Sequence, residues 1–417
     1  MALPASRSRA LAHLRICDLT GQLAGAGATK FLAAFGAQVI RVEDPVRQGS
    51  WDILRGVPPF VDERRGVNLG GAFNNHNVEK LGITIDLRQE RGKDLLRELV
   101  AVSDAVTENF AAGVFARMGF PYEELARVKP DIVYVSNSGF GAAGPYSSFR
   151  TWGPIVQAVS GLTFSSGLPG LPPAGWGFSY MDHMGANYMA IAVMSGLVHR
   201  NRTGEGQWID MACTEPGIAL CGPDLLDFSV NGRPLRRDGQ PHSNHSHAPA
   251  MAPHNIYAAE GDDEWIAIAC RDDDDWARLA TVIAEPWAKD ERYATLDGRL
   301  ADQGTLDAHV ESWTRTRNRH AAAEAIRASG VPASAVASPE DRIEHDPGTS
   351  EFGLWPRVHH TEIGEVRVDG LPVHFSDTDW SIEHGAPCLG EHTDDVLRDV
   401  LGLGDDEIVS LHEEKVV

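Results

Sequence analysis

Residues 14–43 read LRICDLTGQLAGAGATKFLAAFGAQVIRVE, and their pattern predicts a strand, a helix and a second strand in immediate succession. The first strand, Leu14–Leu19, is short and apolar, and Thr20 after it suits the cap position of a helix. The helix covers Ala24–Phe35, ends at a glycine, and leads into the strand Ala37–Glu43. Strand–helix–strand units of this kind build α/β folds.

The same alternation continues along the first half of the chain. Further strands are predicted at 81–87, 105–110 and 131–136. A helix at Gln89–Val102 places its leucines on one face, and a long helix at His183–Arg202 consists of small and apolar residues before a basic end. We therefore predict an α/β fold, in which a Rossmann-like large domain has a mostly parallel sheet with helices on both faces.

A change of composition in the second half indicates another unit. At 417 residues the chain is too long for one ordinary core, so two domains are expected. Residues 230–252 are rich in Gly, Pro, Arg, His and Ser, which indicates a linker or an active-site loop. A smaller α/β unit follows, with a strand at Trp265–Ala269 and a helix at His320–Ser329, and the tail at Glu391–Leu411 is predicted to be helical.

The charge of the chain limits its partners. It carries 37 basic and 59 acidic side chains, a formal net charge of −22. Neither nucleic acid nor an anionic membrane is expected to bind nonspecifically to such a surface. An anionic ligand would need basic side chains gathered locally, and Arg41, Arg88, Arg117 and Arg150 lie near predicted strand ends or the following turns. Each of them alone is also explained as a solvated surface charge.

Cysteine usage and hydropathy predict a soluble, cytoplasmic protein. The five cysteines are far apart, show no Cys-x-x-Cys spacing, and mostly sit beside apolar or small residues, which is typical of buried thiols in a reducing compartment. The first ten residues lack the apolar core of a secretory signal. No stretch approaches the ~18 apolar residues of a membrane helix.

Asp182 directly precedes the long predicted helix, in the segment GFSYMDHMG. A helix N-cap role explains an aspartate at this position without any chemistry. The same position also suits a nucleophile, because the helix dipole and free N–H groups favour a carboxylate, and an ordinary pKa of about 3.9 keeps it ionised. Position alone leaves both interpretations open.

Motifs for other chemistries are incomplete. His242, His245 and His247 form a His-x-x-His-x-His pattern, but no flanking carboxylate or cysteine completes a metal ligand set, so no metal site is expected. Residues 272–275 are four aspartates without the spacing of a calcium loop, which suits the first turn of a helix instead. The glycines of residues 21–27 do not match a dinucleotide loop, although such a helix start admits a phosphate or an adenine closely.

Eight segments together carry a resemblance. They are LRICDLT (14–20), FGAQVIRVE (35–43), ITIDLR (83–88), ENF (108–110), RMGF (117–120), RTGEGQWID (202–210), APHNIY (252–257) and LGEHT (389–393). In order and spacing they resemble the family III CoA-transferases, which include the carnitine CoA-transferase and formyl-CoA transferase branches. The resemblance extends from about residue 14 to residue 416.

The resemblance implies an enzyme and its site residues. The catalytic aspartate of the family falls on Asp182, which implies a covalent nucleophile that moves CoA from an acyl-CoA donor to a carboxylic acid through an aspartyl-CoA thioester. CoA is then a substrate, and no tightly bound cofactor is expected. The family's CoA contacts fall on Leu23, Ala24, Ile85, Arg88, Asn109, Phe110, Arg117 and Arg150.

The resemblance also implies an assembly. Family members resemble linked rings in which each monomer threads a hole in its partner. By this similarity the large domain comprises residues 1–222 and 330–417, and the small domain comprises residues 223–329. An interlocked homodimer is expected.

Departures from the family pattern bear on the substrate. The formyl branch has Gln where this chain has Leu23 and Glu where it has Gly153, and the loop of histidines replaces a mobile glycine run. Trp152 and Trp176 near the expected acyl site suggest a larger, partly apolar acid. These features look most like the branch that uses succinyl-CoA with aromatic or alicyclic acids.

Two alternative functions remain open. The α-methylacyl-CoA racemases of the same family use a His/Asp pair, and their histidine is missing near residues 152–154, although His183 is a partial substitute. A catalytically inactive CoA-binding subunit is the second alternative. The presence of Asp182 speaks against it.

Overall fold

The computed structural model of the protein describes residues 9–417, so residues 1–8 of the expected large domain, and most of the segment examined for a secretory signal, lie outside the described residues. Within this range the strands are β1 Arg15–Leu19, β2 Gln38–Glu43, β3 Leu81–Thr84, β4 Ala105–Glu108, β5 Val133–Ser138, β6 Gln207–Ala212, β7 Ser246–His247, β8 Ala250–Met251, β9 His254–Ala258, β10 Trp265–Ala269, β11 Ala333–Ala335, β12 Arg357–His360 and β13 Gly364–Arg367.

The helices of the described chain follow the same order. They are α1 Ala26–Ala34, α2 Gly71–His76, α3 Glu90–Ala101, α4 Val114–Arg117, α5 Tyr122–Val128, α6 Gly153–Val159, α7 Leu162–Ser165, α8 Tyr180–Thr203, α9 Thr214–Leu220, α10 Gly222–Asn231, α11 Asp273–Ile283, α12 Leu296–Ala301, α13 Gln303–Thr314, α14 Arg319–Ala328, α15 Pro347–Glu351, α16 Thr393–Asp395 and α17 Asp405–Glu413.

A six-stranded sheet forms the centre of the first part of the chain. Its order is β3-β2-β1-β4-β5-β6, and every neighbouring pair is parallel. This confirms the mixed α/β fold with a Rossmann-like sheet. The order reverses direction between β1 and β4, which creates the crevice where sheets of this type bind ligands. The sixth strand, β6, was not among the predicted strands.

Successive residues of β1 enter cores on opposite faces of the sheet. Ile16 packs with Leu32 of α1 and Met189 of α8, whereas Cys17 packs on the other side with Leu95 of α3. This division follows from the alternation of side chains along a strand. Helices therefore cover both faces of the sheet, as its apolar strands require.

The chain divides into two compact units. Within the described residues, the first comprises residues 9–165, 174–233 and 349–417, and the second comprises residues 166–173 and 234–348. The expected small domain covered 223–329, but α10 belongs to the first unit. The composition changes near residue 230 because α10 ends there. No comparable change in composition marks residue 348, after which the chain re-enters the first unit.

The second unit has its own sheet and core. Strands β9, β10 and β11 form an antiparallel sheet in the order β11-β10-β9. Trp276 and Leu279 of α11 pack against Ile266 and Ile268 of β10. The four aspartates begin α11, where Asp272 accepts a hydrogen bond from the Asp275 backbone N–H at 2.8 Å. They are therefore capping and first-turn residues, as predicted.

The C-terminal tail differs from the single predicted helix. Residues 393–400 form the short α16 and a π-helical turn, and α17 begins only at Asp405. Gly402 between them has φ of +75°, a left-handed conformation that ends helices. No helix within residues 9–417 is long and apolar enough to span a membrane.

Candidate active site

A cavity of about 300 Å³ lies where the central sheet changes direction. Its walls come from the loops that follow β1, β4 and β5, from the start of α6 and from the first turn of α8. These are the carboxyl ends of parallel strands on both sides of the switch point. The lining residues used below are Gln22, Ala24, Trp51, Asn109, Phe110, Asn137, Ser138, Phe149, Arg150, Trp152, Gly153, Val156, Asp182 and Cys213.

Asp182 lines this cavity from inside the helix rather than from its cap. The helix begins at Tyr180 with Ser179 as the N-cap, so Asp182 is a first-turn residue and the predicted N-cap position is wrong. Met181 is fully buried against Val156, and this packing extends the helix by one turn beyond its predicted start. Ser179 has φ of +52°, a left-handed conformation in which the chain enters the helix abruptly.

The carboxyl group of Asp182 is partly withdrawn from water. Burial raises its pKa above the ordinary value, against opposing effects of a hydrogen bond from Ser179 and of the nearby His183 imidazole. The expectation of an unperturbed pKa is therefore wrong. A partly desolvated carboxylate is less shielded by water and attacks an electrophile more readily than a solvated one.

Cys213 lines the same cavity as Asp182, and its thiol is unreactive. Its thiol donates a hydrogen bond to Asn137 Oδ1 at 3.0 Å. Burial, reinforced by the charge of Asp182, raises the pKa of the thiol to about 12. A neutral, buried thiol is a poor nucleophile, so the thiol does not compete with the carboxylate.

The structure brings four of the expected CoA contacts into the same cavity as Asp182. They are Ala24, Asn109, Phe110 and Arg150. The Asn109 side chain holds the loop after β1, because its Oδ1 accepts the Gly21 N–H at 2.7 Å and its Nδ2 donates to the Gly21 carbonyl at 3.0 Å. Asn109 therefore fixes a wall of the cavity.

Two more expected contacts line a neighbouring cavity of about 320 Å³. Ile85 and Arg88 belong to it, and it shares Trp51 and Phe110 with the cavity of Asp182. The Arg88 Nε donates to Asp86 Oδ1 at 2.7 Å, and the guanidinium remains about half exposed. The two cavities are therefore neighbours, and Trp51 and Phe110 belong to the walls of both.

The remaining expected contacts lie outside both cavities. The Leu23 side chain is buried with Leu54 and Phe73, so only its backbone can face a ligand. Arg117 is exposed on α4 and lines neither cavity. Arg41 is fully buried, with Asp52 at 2.7 Å and Glu43 at 3.4 Å, so it is a structural ion pair rather than part of a ligand-binding patch.

The histidines do not complete a second reactive pair with Asp182. The ring of His183 packs against that of His76 at 5.6 Å, and no histidine of the described chain lines the cavity of Asp182. Among the described residues, the cavity therefore contains Asp182 without the histidine of a racemase pair. In the second unit, His245 Nε2 lies 2.8 Å from Asp307, and residues 9–417 contain no group of three side chains arranged to hold a metal ion.

Sequence reasoning missed several lining residues. Asn137 and Ser138 are the last two residues of β5, and the rule that ligands bind at strand ends would have identified them. Trp51 and Cys213 carry no local signal. Only the folded chain brings them to the cavity.

Comparison with known proteins gives concordant results. The profile described as CoA-transferase family III matches residues 11–393. The chain is 31% identical to the succinyl-CoA–D-citramalate CoA-transferase of Chloroflexus aurantiacus, over 98% of both chains. It is 33% identical to the succinate–glutarate CoA-transferase of Agrobacterium fabrum, over 95% of this chain and 96% of the relative. A CAIB/BAIF family protein from Brucella suis has a similar crystal structure, with a TM-score of 0.83, 31% identity and coverage of 93% of this chain and 98% of that one.

Proposed function

The chain belongs to CoA-transferase family III, and from this premise we propose that it transfers CoA between carboxylic acids through a covalent intermediate on Asp182. It is an enzyme of the acyl-CoA:carboxylate CoA-transferase type. The observation that carries the proposed mechanism is the position of the partly buried Asp182 carboxyl group in a cavity that shares the side chains of Trp51 and Phe110 with the cavity of Arg88.

CoA is proposed to extend from the cavity of Arg88 into the cavity of Asp182. Its phosphate-bearing end would lie near Arg88 and Arg117, and its pantetheine arm would pass Phe110 and Asn109 toward Asp182. Arg150 is the one cationic side chain of the described residues that lines the cavity of Asp182. The guanidinium groups of these arginines would bind the phosphates of a polyanion, which the net charge of −22 otherwise repels.

The reaction is proposed to run in four balanced steps. An Asp182 oxygen attacks the thioester carbonyl of the donor, the C–S bond breaks, and a mixed anhydride and CoA thiolate form. The thiolate attacks Cγ of Asp182, which gives an aspartyl-CoA thioester and releases the donor acid. The acceptor carboxylate attacks the same Cγ, and the thiolate it expels then attacks the acceptor acyl carbon, which regenerates Asp182. No proton and no electron is gained or lost over the cycle.

The cavity supplies proximity and exclusion of water for these steps. Anhydrides and thioesters hydrolyse when water reaches them, so a partly closed cavity protects both intermediates. Holding the thiolate and the anhydride together makes their reaction effectively unimolecular. Because the Cys213 thiol stays protonated, it does not compete with the Asp182 carboxylate as the nucleophile.

Succinyl-CoA is the donor that we propose to test first, because the names of both curated relatives given above contain succinyl-CoA or succinate. The acceptor is proposed to be a larger, partly apolar carboxylic acid. Phe149, Trp152 and Val156 line the cavity beside Asp182 and offer apolar contacts to such an acid. The ring of Trp176 packs against that of Tyr180 in a tilted arrangement, with 5.4 Å between the ring centroids, and Trp176 does not line the cavity.

The working unit is proposed to be an interlocked homodimer. No residue of α10 is buried within one chain, although the helix carries Leu226, Phe228 and Val230, which are 65%, 64% and 77% exposed. Exposed apolar surface of this extent marks a protein interface. All five cysteines are free and buried, which supports the expected reducing compartment of the cytoplasm.

The direct test of function is a matrix of acyl-CoAs against carboxylic acids, with new thioesters identified by mass spectrometry. Transfer from succinyl-CoA to at least one apolar acid is the expected result. Exchange of the α-proton for deuterium without any acceptor acid would instead indicate the racemase reaction. Binding of CoA with no transfer to any acid would indicate an inactive subunit.

A further inference from the structure

Gly153, the first residue of α6, is buried against the side chain of Asp182. The backbone there does not require glycine, because Gly153 is not among the residues with positive φ. The reason for a glycine must therefore be space rather than conformation.

The space is occupied by the carboxyl group itself. A Cβ built on Gly153 would lie 2.5 Å from Asp182 Oδ2, 2.9 Å from Cγ and 3.1 Å from Oδ1. All three atoms are nearer than ordinary van der Waals contact, so even a methyl group and the present carboxyl position exclude each other.

The two helices have little freedom to separate and relieve such a contact. Val156 of α6 and Met181 of α8 are buried in the same apolar cluster. On the next turn of α8, a Cβ on Gly185 would already lie 2.8 Å from Cys213 Sγ. With both backbones held by packing, a side chain at residue 153 would have to displace the carboxyl group of Asp182.

We propose that Gly153 is the positioning residue for the nucleophile: its missing side chain allows the Asp182 carboxyl group to lie against the start of α6, where it reaches the acyl group of bound acyl-CoA. This inference rests on the proposed function of Asp182. Displacing a reacting group by about 1 Å costs on the order of 100-fold in rate. Binding of the phosphate-bearing end of CoA should change little, because Arg88 and Ile85 lie in the neighbouring cavity.

The kinetic test compares Gly153→Ala with Gly304→Ala, a control on α13 where an added Cβ meets open space. Gly153→Ala should lower kcat by about 100-fold and leave the KM for succinyl-CoA within about threefold. Gly304→Ala should match the native enzyme. An unchanged kcat in Gly153→Ala, or a rise in KM that accounts for the whole loss, would overturn the proposal.

A double-mutant cycle of melting temperatures tests the contact between Gly153 and Asp182 without measuring activity. Gly153→Ala should lower the Tm when Asp182 is present and should lower it much less in the Asp182→Ala background, where the carboxyl group is gone. Equal losses in both backgrounds would show that the methyl group clashes elsewhere and would overturn the proposal. If no covalent adduct forms on Asp182 in the native enzyme, the proposed function fails, whereas this cycle still decides whether Gly153 positions that side chain.

Discussion

At the scale of single residues, the position of Asp182 suits both a first-turn residue of a helix and the proposed nucleophile. It lies in the first turn of α8, where a negative charge is favoured by the helix dipole, and its carboxyl group faces a cavity. Partial burial opposes ionisation and raises its pKa. A purely structural role in the first turn of a helix would not require the carboxyl group to face a cavity.

The substitution Asp182→Asn separates the two roles. The amide has nearly the same shape and remains acceptable in a first turn, so the Tm and the affinity for CoA should stay close to native values. Turnover should fall by at least about 10³-fold, because an amide does not attack a thioester. Thermal melting, calorimetric CoA binding and the transfer assay measure the three quantities. Asp94→Asn on the exposed side of α3 is the matched control, and native turnover in Asp182→Asn would contradict the mechanism.

Arg88 and Arg117 differ in position, so their alanine variants should differ in effect. Arg88→Ala should raise the KM for acyl-CoA by about tenfold with a smaller change in kcat, because phosphate binding is common to the ground and transition states. Arg117→Ala should act in the same direction if the CoA phosphates extend to α4. Arg127→Ala on α5, exposed and paired with Glu124, is the control. Equal KM values in the Arg88 variant and this control would place CoA elsewhere.

At this scale, sequence identified Asp182 and several cavity residues but misjudged burial. Leu23 and Ala24 are adjacent, yet one side chain packs on Leu54 and Phe73 while the other lines the cavity. The partners that decide this come from segments about 30 or more residues away. Local pattern does not contain that information.

At the scale of elements, strand–helix alternation was enough to predict the parallel sheet. The strand ends then indicated where the candidate cavity lies, because β1 and β4 flank the switch point. Element boundaries followed less well. Helix α8 begins at Tyr180, before the predicted start at His183, because Met181 packs into the core. The predicted helix of the tail is interrupted at Gly402.

Glu108, at the carboxyl end of β4, predicts a pH dependence of stability. Its Oε1 accepts the Tyr134 hydroxyl at 2.8 Å and its Oε2 accepts the Phe110 N–H at 2.7 Å. Burial nevertheless raises its pKa from 4.5 to about 7. The folded state therefore holds a proton between these two pH values that the unfolded state releases, so stability falls as pH rises through this window.

The expected loss is about 3 kcal/mol in the free energy of unfolding between pH 4.5 and 7. Urea unfolding at fixed protein concentration across pH 4.5–8 measures it. Glu108→Gln should remove this contribution to the slope, since an amide stays neutral throughout. Glu98→Gln on α3, where the side chain is 40% exposed, should keep the native slope. A native slope in Glu108→Gln would show that Glu108 is ionised in the folded state.

At the scale of the whole molecule, the sequence predicted two units, but the second unit comprises residues 166–173 and 234–348 and not the predicted 223–329. The first unit is assembled from three stretches of chain, and the last one begins at residue 349. Contacts between distant segments fix this limit: Lys30 Nζ, for example, is 3.0 Å from Asp369 Oδ1. Such contacts leave no mark in local composition.

The apolar helix α10 predicts a dimer that persists on dilution. An interlocked pair cannot separate without unfolding, so sedimentation of a labelled protein at nanomolar concentration should give a dimer, and loss of the dimer should coincide with loss of helical structure. Leu226→Glu, which places a charge on the exposed face of α10, should lower the yield of assembled protein. A stable folded monomer at nanomolar concentration would exclude the interlocked arrangement.

The central claim, that CoA becomes covalently attached to Asp182, is tested most directly by trapping the adduct. Native enzyme is mixed with succinyl-CoA without an acceptor and quenched with hydroxylamine or borohydride. The peptide containing residues 177–183 should then carry a hydroxamate or an alcohol at Asp182, and Asp182→Asn should carry neither. An active enzyme without an adduct under single-turnover conditions, or with the mark on another carboxylate such as Glu205 or Asp210, would contradict the claim.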